Sequence, residues 1–130
     1  MPLTPVNPDT LARPRGYSHG IKGQGELLFV AGQIGWNREG RMVATDLVEQ
    51  FAQALDNVLE VVRRAGGKPE SLARMALYVT DKKEYRLRAK PLGEAYRKRL
   101  GKHFPAMVLV EVKSLLEDDA KIEIEAIAIL

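Results

Sequence analysis

The chain has no cysteine and only two histidines among its 130 residues. The lack of cysteine excludes disulfide and thiolate chemistry, and two histidines are too few for a histidine-rich metal cage. No apolar run approaches the roughly 20 residues needed to span a bilayer, and the N-terminus is rich in proline rather than basic and then apolar. We therefore expect a cytoplasmic protein with no metal and no membrane partner.

The composition fits one globular domain over residues 1–130, since 45% of the residues are hydrophobic and 28% are charged. Four of the seven prolines fall in the first 15 residues, which predicts an irregular N-terminal leader over residues 1–14. The formal net charge of +3 is mildly basic. This charge permits anionic small molecules or RNA as partners, and it selects neither.

The first third of the chain predicts short strands. Two apolar-rich runs, Tyr17 to Lys22 and Glu26 to Gln33, are separated by a Gly-Gln-Gly turn, which predicts a β-hairpin. A second turn at residues 37–40 leads into a short strand at Arg41 to Val43. The turn chemistry therefore predicts a hairpin and a short third strand before the first helix.

Residue periodicity then predicts two helices. Asp46 can cap a helix whose apolar residues recur at helical spacing until Gly66 and Gly67 end it. A second apolar stripe runs from Lys83 to Leu100, and Pro91 inside it predicts a kinked or late-starting helix. Between and after the helices, three apolar runs predict strands, at residues 74–80, 106–112 and 121–129.

Two helices cover only one face of the mixed sheet of five or six strands that this order predicts. The strand runs are apolar on both sides of the pleat, so the helix-free face needs another cover, and self-association supplies it. Glu123 and Glu125 alternate with apolar residues and therefore project from one face of their strand. Self-association over that face predicts a pocket that coincides with an interface.

Motifs along the chain resemble the reactive-intermediate deaminase (Rid, YjgF-like) family, from about Pro14 to Ile129. In order, the matching segments are Gly16–Gly20, Val30–Ile34, Gln53–Val58, Ala65–Gly67, Tyr78–Asp81, Phe104–Ala106, Val110–Val112 and Ile122–Ala126. The resemblance implies a chorismate-mutase-like α+β fold with two helices on one face of the sheet. It also implies a homotrimer in which the sheets line a central barrel and three clefts lie between subunits.

The resemblance implies an activity, the hydrolysis of enamines and imines to keto acids and ammonia without a cofactor. Active members bind the substrate carboxylate with an arginine two residues after the proline of the Pro-Ala motif. This chain has Met107 at that position. A thioether carries no charge and donates no hydrogen bond, so the resemblance predicts weak activity on 2-imino acids.

The same resemblance assigns the remaining site residues. Glu123 stands where the family glutamate positions a water molecule, and Gly32 with Gln33 matches the backbone turn of the cleft. Tyr17 matches the aromatic residue that covers the cleft, and Leu109 makes the pocket more apolar than usual. His19 is either a general base or donor in the cleft or, as is usual for a single histidine near a turn, a structural residue.

Other interpretations of these residues stay open. Glu123 and Glu125 fit a solvated or salt-bridged edge strand as well as a catalytic site. The protein could also be a trimer that binds a small ligand, such as an imine or keto acid, without turning it over. Nine basic residues between Lys82 and Lys102 form either a solvated helix face or a surface for RNA, as in an endoribonuclease-type protein.

Overall fold

The computed structural model describes residues 2–130, and Met1 lies outside the described residues. The strands are β1 (Thr4–Val6), β2 (Gly20–Lys22), β3 (Leu27–Gln33), β4 (Leu72–Val79), β5 (Ala106–Glu111) and β6 (Ile122–Ile129). The helices are α1 (Leu47–Arg64), α2 (Lys82–Leu87) and α3 (Ala89–Leu100), with a 3-10 turn at Pro69–Ser71 before β4.

The main sheet has four strands in the order β3-β6-β4-β5. Strand β4 pairs parallel to β5 and antiparallel to β6, which in turn pairs antiparallel to β3. Helix α1 packs against β6, β3 and α3, so the two longer helices form one layer on one face. The α+β fold with a mixed sheet and helices on a single face is therefore confirmed.

Helix α1 begins and ends where its capping residues predict. The Asp46 side chain accepts a hydrogen bond from the backbone N–H of Glu49 at 3.1 Å. At the other end Gly66 adopts φ 93°, a left-handed conformation that glycine reaches without steric cost. The predicted bounds of this helix are confirmed because both ends depend on local chemistry.

The second helical segment divides into α2 and α3 at Arg88, which ends one helix and precedes the other. Pro91 is the third residue of α3, where a backbone N–H has no partner inside the helix and its loss is tolerated. The predicted break is confirmed, and the helix begins again early enough to keep Pro91 in its first turn.

The predicted hairpin between residues 17–22 and 26–33 is wrong. Strand β2 pairs with β1 in a separate two-stranded ribbon, with Thr4 opposite Lys22. The chain after the glycine turn instead meets its own C-terminus, because the backbones of Glu26 and Leu130 exchange two hydrogen bonds at 3.2 and 2.8 Å. The main sheet consequently has four strands rather than five or six.

The predicted leader over residues 1–14 is also not irregular throughout, because three of its residues form β1 of the ribbon. The predicted strand at Arg41 to Val43 is wrong as well. Met42 makes only an isolated bridge with Trp36. A run of three residues without a neighbouring strand has too few hydrogen bonds to form a regular element.

The helices bury one face of the main sheet and leave the other face exposed. Alternate residues of β6, from Ile122 to Ala128, are buried under the helices, and the intervening positions face the other way. That other face exposes large apolar side chains, with Phe29 at 70% and Leu27 at 60% of full exposure. Glu123 and Glu125 project from this bare face, as their alternation predicts.

Candidate functional site

A cleft of about 890 Å3 follows the open edge of β5. It brings together three of the predicted site residues, Tyr17, Met107 and Leu109. Strand β5 pairs with β4 on one side only, so its other edge has no strand beside it among residues 2–130. The full lining is Arg15, Gly16, Tyr17, Leu77, Lys82, Tyr85, Arg86, Met107, Val108, Leu109, Val110 and Glu111.

Tyr17 reaches the cleft because its neighbours attach the preceding loop to the start of β5. Gly16 has φ 76°, which reverses the chain just before Tyr17. The buried Ser18 then donates two hydrogen bonds, from its backbone N–H to Pro105 O at 3.1 Å and from Oγ to Phe104 O at 2.6 Å. These contacts fix the backbone on either side of the tyrosine.

His19 lies behind Tyr17 rather than in the cleft. The two rings meet edge to face with centroids 5.4 Å apart. His19 Nε2 donates to the carbonyl of Ala12 at 2.6 Å, and its backbone N–H donates to Oδ1 of Asn7 at 2.7 Å. This geometry favours the structural interpretation of His19, in which the imidazole supports the tyrosine ring.

Glu123 lies near the other edge of the sheet, over Gly32. The β3–β6 register shifts between Val30 and Gln33, so the strand bulges at Gly32. A Cβ atom on Gly32 would collide with Oε2 of Glu123, so only glycine leaves room for the carboxylate there. Gln33 is the next residue along β3, but it aligns with Ile124 on the helix-covered face, where its Oε1 accepts a hydrogen bond from Trp36 Nε1 at 3.4 Å.

The two groups of predicted site residues do not meet within one chain. Met107 aligns with Met75 and packs against the core, on the helix-covered side of the sheet. Glu123 aligns with Tyr78 on the bare face, and β4 separates its strand from β5. Two strand spacings, about 10 Å, therefore separate the strand that carries Met107 from the strand that carries Glu123.

Glu125 has a partner within the chain. The Tyr78 hydroxyl donates a hydrogen bond to Oε1 of Glu125. This bond, and the negative charge of the carboxylate, raise the pKa of Tyr78 above its usual value. Glu123, by contrast, makes no side-chain hydrogen bond or ion pair with any of residues 2–130. Of the two carboxylates, only Glu125 therefore has a side-chain partner within residues 2–130.

The sequence interpretation missed four polar or charged residues of the cleft, namely Arg15, Lys82, Tyr85 and Arg86. Lys82 and Arg86 are four residues apart and therefore lie on one side of α2. Glu111 also lines the cleft, and its carboxylate accepts a hydrogen bond from the backbone N–H of Lys82 at 2.9 Å. The spacing of Lys82 and Arg86 in the sequence indicates that they share one helix face. It does not indicate that this face lines a cleft.

The basic segment from Lys82 to Lys102 is only partly neutralised. Arg88 pairs with Asp46 at 2.9 Å, and Arg99 pairs with Asp56 at 2.7 Å. The remaining cations carry no ion pair with residues 2–130. RNA binding by this segment stays a prediction.

Two further findings concern ligands of other kinds. Across residues 2–130, no cluster of three or more histidine, aspartate or glutamate side chains is arranged to hold a metal ion. No helix in the same range is both long and apolar enough to cross a membrane.

Comparison with known proteins places this fold in a class. The chain matches the family model described as Endoribonuclease L-PSP over residues 8–130. It is 38% identical over 113 residues to a RutC family protein of Pyrococcus horikoshii, covering 86% of this chain and 85% of that protein. It is 35% identical over 105 residues to the 2-iminobutanoate/2-iminopropanoate deaminase of Escherichia coli, covering 81% and 80%.

A solved structure agrees over the whole chain. YyfB from Yersinia pestis, a Rid family protein of unknown function, superposes with a TM-score of 0.90 at 34% identity and covers 100% of both chains. The fold is therefore that of the YjgF and L-PSP proteins. The chain belongs to the Rid family, and the resemblance drawn from its motifs is confirmed.

Proposed function

We propose that this protein hydrolyses imines or enamines in clefts between identical subunits, with Glu123 of one copy completing the β5 cleft of another. One observation carries the proposal. Tyr17, Met107 and Leu109 lie at one edge of the sheet, and Gly32 and Glu123 lie towards the opposite edge, with Glu123 on the other face. Only contact between copies brings the two groups to one ligand.

The exposed face supplies the reason for assembly. Phe29, Leu27, Val108 and Val110 are all at least 40% exposed on the helix-free side of the sheet. Burial of one large apolar side chain contributes about 1.5 to 3 kcal/mol, so covering this face in each copy stabilises an assembly strongly. The resemblance to the Rid family favours a homotrimer.

The chemistry needs a single proton acceptor and no cofactor. The Glu123 carboxylate accepts a proton from water as the water oxygen bonds to the carbon of the protonated imine, which gives a neutral tetrahedral amino alcohol. Glu123 then passes that proton to the amino nitrogen, the carbon–nitrogen bond breaks as ammonia leaves, and the hydroxyl proton returns to the Glu123 carboxylate as the carbonyl forms. The deaminase of Escherichia coli at 35% identity supports this class of reaction.

Met107 limits which imines are good substrates. A guanidinium binds a carboxylate through two parallel charge-assisted hydrogen bonds, and a thioether makes neither. The loss of such a pair costs on the order of 2 to 5 kcal/mol in binding. We therefore expect slow hydrolysis of small 2-imino acids, and faster hydrolysis after Met107→Arg.

The activity test measures ammonia release from an imine generated in the assay. The wild-type protein is compared with Glu123→Ala and with Met107→Arg. Release that disappears in Glu123→Ala and rises in Met107→Arg supports both assignments. Equal rates for the wild type and Met107→Arg contradict the role given to Met107, and a ligand retained unchanged in the cleft supports a non-catalytic binding protein instead.

A mixing experiment tests whether the site is shared between copies. Glu123→Gln removes the proton acceptor, and Met107→Trp fills the cleft from its floor. Each variant alone is expected to be inactive. When the two are dissociated, mixed in equal amounts and reassembled, about a quarter of the sites pair an intact cleft with an intact Glu123. Activity that never returns on mixing contradicts a shared site.

A native mass measurement checks the assembly itself. The wild type is expected at three times the mass of one chain, and Phe29→Glu, which places a charge on the bare face, is expected to dissociate. A wild-type protein that remains a single chain at low concentration contradicts the proposal.

A further inference from the structure

The cleft continues into a second space under the helices. An apolar recess of about 210 Å3 lies between α1, α3 and the sheet, and Leu77, Tyr85 and Met107 line both the cleft and the recess. Its remaining walls include Phe51, Leu92, Gly93 and Phe104, and Arg97 is its one charged lining residue. A ligand in the cleft therefore has a mostly apolar chamber behind Met107.

The mouth of the cleft carries positive charge. Arg15, Lys82 and Arg86 line it against one carboxylate, Glu111. The Glu111 carboxylate already accepts a hydrogen bond from the Lys82 backbone, and the three cations form no ion pair with any of residues 2–130. Arg88 and Arg99 in the same region are, by contrast, each paired with an aspartate.

Tyr85 stands between these two environments. Its ring packs against the core, and burial raises the pKa of its hydroxyl, which therefore stays a neutral donor. The Tyr96 hydroxyl donates to His103 O at 2.7 Å, whereas within residues 2–130 the Tyr85 hydroxyl has no such partner. A hydrogen-bond donor is thus available at the boundary between charge and apolar surface.

We propose that the ligand is a carboxylate with a bulky apolar side chain, held at its charged end by Arg15, Lys82 and Arg86. Its side chain enters the recess behind Met107, most of whose walls are apolar. For a ligand of this size, the three cations of the cleft bind the carboxylate in place of residue 107. This inference rests on the proposed use of the cleft as the ligand site, and it names the class of molecule that the site accepts.

The test measures binding rather than turnover, by calorimetric titration of the assembled wild-type protein with 3-phenylpropionate. Propionate serves as the ligand without the apolar group, and 3-phenylpropanamide serves as the ligand without the charge. Each buried methylene raises affinity about fourfold, so 3-phenylpropionate is expected to bind at least tenfold more tightly than propionate. The amide is expected to bind more weakly than the acid.

Matched variants separate the two ends of the ligand. Lys82→Gln and Arg86→Gln are expected to weaken 3-phenylpropionate about fivefold each, whereas Lys98→Gln removes a cation outside the cleft and leaves affinity unchanged. Gly93→Leu fills the recess. A Cβ on Gly93 comes within 3.1 Å only of the flexible Arg97 guanidinium, so the helix tolerates it. This variant is expected to weaken 3-phenylpropionate and to leave propionate binding as it was.

The outcomes distinguish this inference from the proposed reaction. Equal affinity for propionate and 3-phenylpropionate, or equal effects of Arg86→Gln and Lys98→Gln, overturns the ligand class even where ammonia release persists. Tight and charge-dependent binding of 3-phenylpropionate supports it, including in the Glu123→Gln variant, which lacks the proton acceptor. Binding without any ammonia release contradicts the reaction alone.

Discussion

The two faces of the central sheet differ in how far one chain completes them. On one face the helices bury Ile122 and Ile124 completely, within a core made by this chain. On the other face Phe29 stays 70% exposed, and Glu123 lies over Gly32 with no side-chain hydrogen bond or ion pair to residues 2–130. The difference teaches that one face supplies stability to the single chain, while the other is the face on which we propose contact between copies and the chemistry.

A pair of matched substitutions on β6 gives the largest test of this comparison. Ile124 is buried under the helices, and Ile127 faces the bare side of the same strand. Ile124→Ala removes core packing and is expected to lower the free energy of unfolding by about 2 to 5 kcal/mol. Ile127→Ala is expected to cost less in the chain and to weaken contact between copies.

The measurement is chemical denaturation at several protein concentrations. The loss caused by Ile124→Ala is expected to be the same at every concentration, whereas the loss caused by Ile127→Ala is expected to grow as the protein is diluted. A loss of equal size and equal concentration dependence for both variants would show that the two faces do not differ in this way.

The covered face is also the part of the fold that the sequence predicts well. Helix α1 has Asp46 at one end and Gly66 at the other, and both signals act within a few residues. Pro91 likewise marks the break between α2 and α3. The hairpin between residues 17 and 33 was predicted by the same local rules and is wrong, because β3 pairs with β6, which is far away in the sequence. Strand pairing depends on contacts across the chain that turn residues do not specify.

The candidate site is predicted from the sequence in a similarly uneven way. The alternation around Glu123 correctly places it on one face with Glu125, and the family motifs bring Tyr17, Met107 and Leu109 to one cleft. The cations at the cleft mouth were not predicted. Arg15 comes from a loop far along the chain from α2, and only the folded structure brings the loop and the helix together.

Two glycines close in sequence give a second test, of intermediate size. A Cβ on Gly35 would lie 2.7 Å from the Cα of Gln50, which is rigid helix backbone on the covered side. Gly35→Ala is therefore expected to lower the free energy of unfolding by about 1 to 3 kcal/mol. A Cβ on Gly32 meets only the end of the Glu123 side chain, so Gly32→Ala is expected to cost about 0.5 kcal/mol or less.

For ammonia release the two variants are expected to rank the other way, with the larger loss in Gly32→Ala. Gly32→Ala displaces the Glu123 carboxylate and is expected to lose the ammonia release that Glu123→Ala abolishes, whereas Gly35→Ala keeps it at temperatures where the protein stays folded. Thermal unfolding and the imine assay are measured side by side. A stable Gly32→Ala variant with full activity would mean that Glu123 does not act from this position.

The smallest expected effect concerns tyrosines on the two sides of the sheet, whose pKa values are raised for different reasons. On the covered side burial raises the pKa of Tyr85. On the bare side the Tyr78 hydroxyl donates to Glu125, and this bond is the main cause of its raised pKa. A charge-driven shift disappears when the charge is removed, whereas a burial-driven shift does not.

Glu125→Gln is therefore expected to lower the pKa of Tyr78 towards its usual value of about 10 and to leave that of Tyr85 unchanged. Because the neutral hydroxyl is the donor, the Tyr78–Glu125 bond stabilises the fold below pH 10 and is lost as the pH rises through the raised pKa of Tyr78. NMR titration of ring-labelled tyrosine resolves the two residues. A Tyr78 titration that is the same in Glu125→Gln and wild type would mean that the Glu125 carboxylate does not cause the raised pKa of Tyr78.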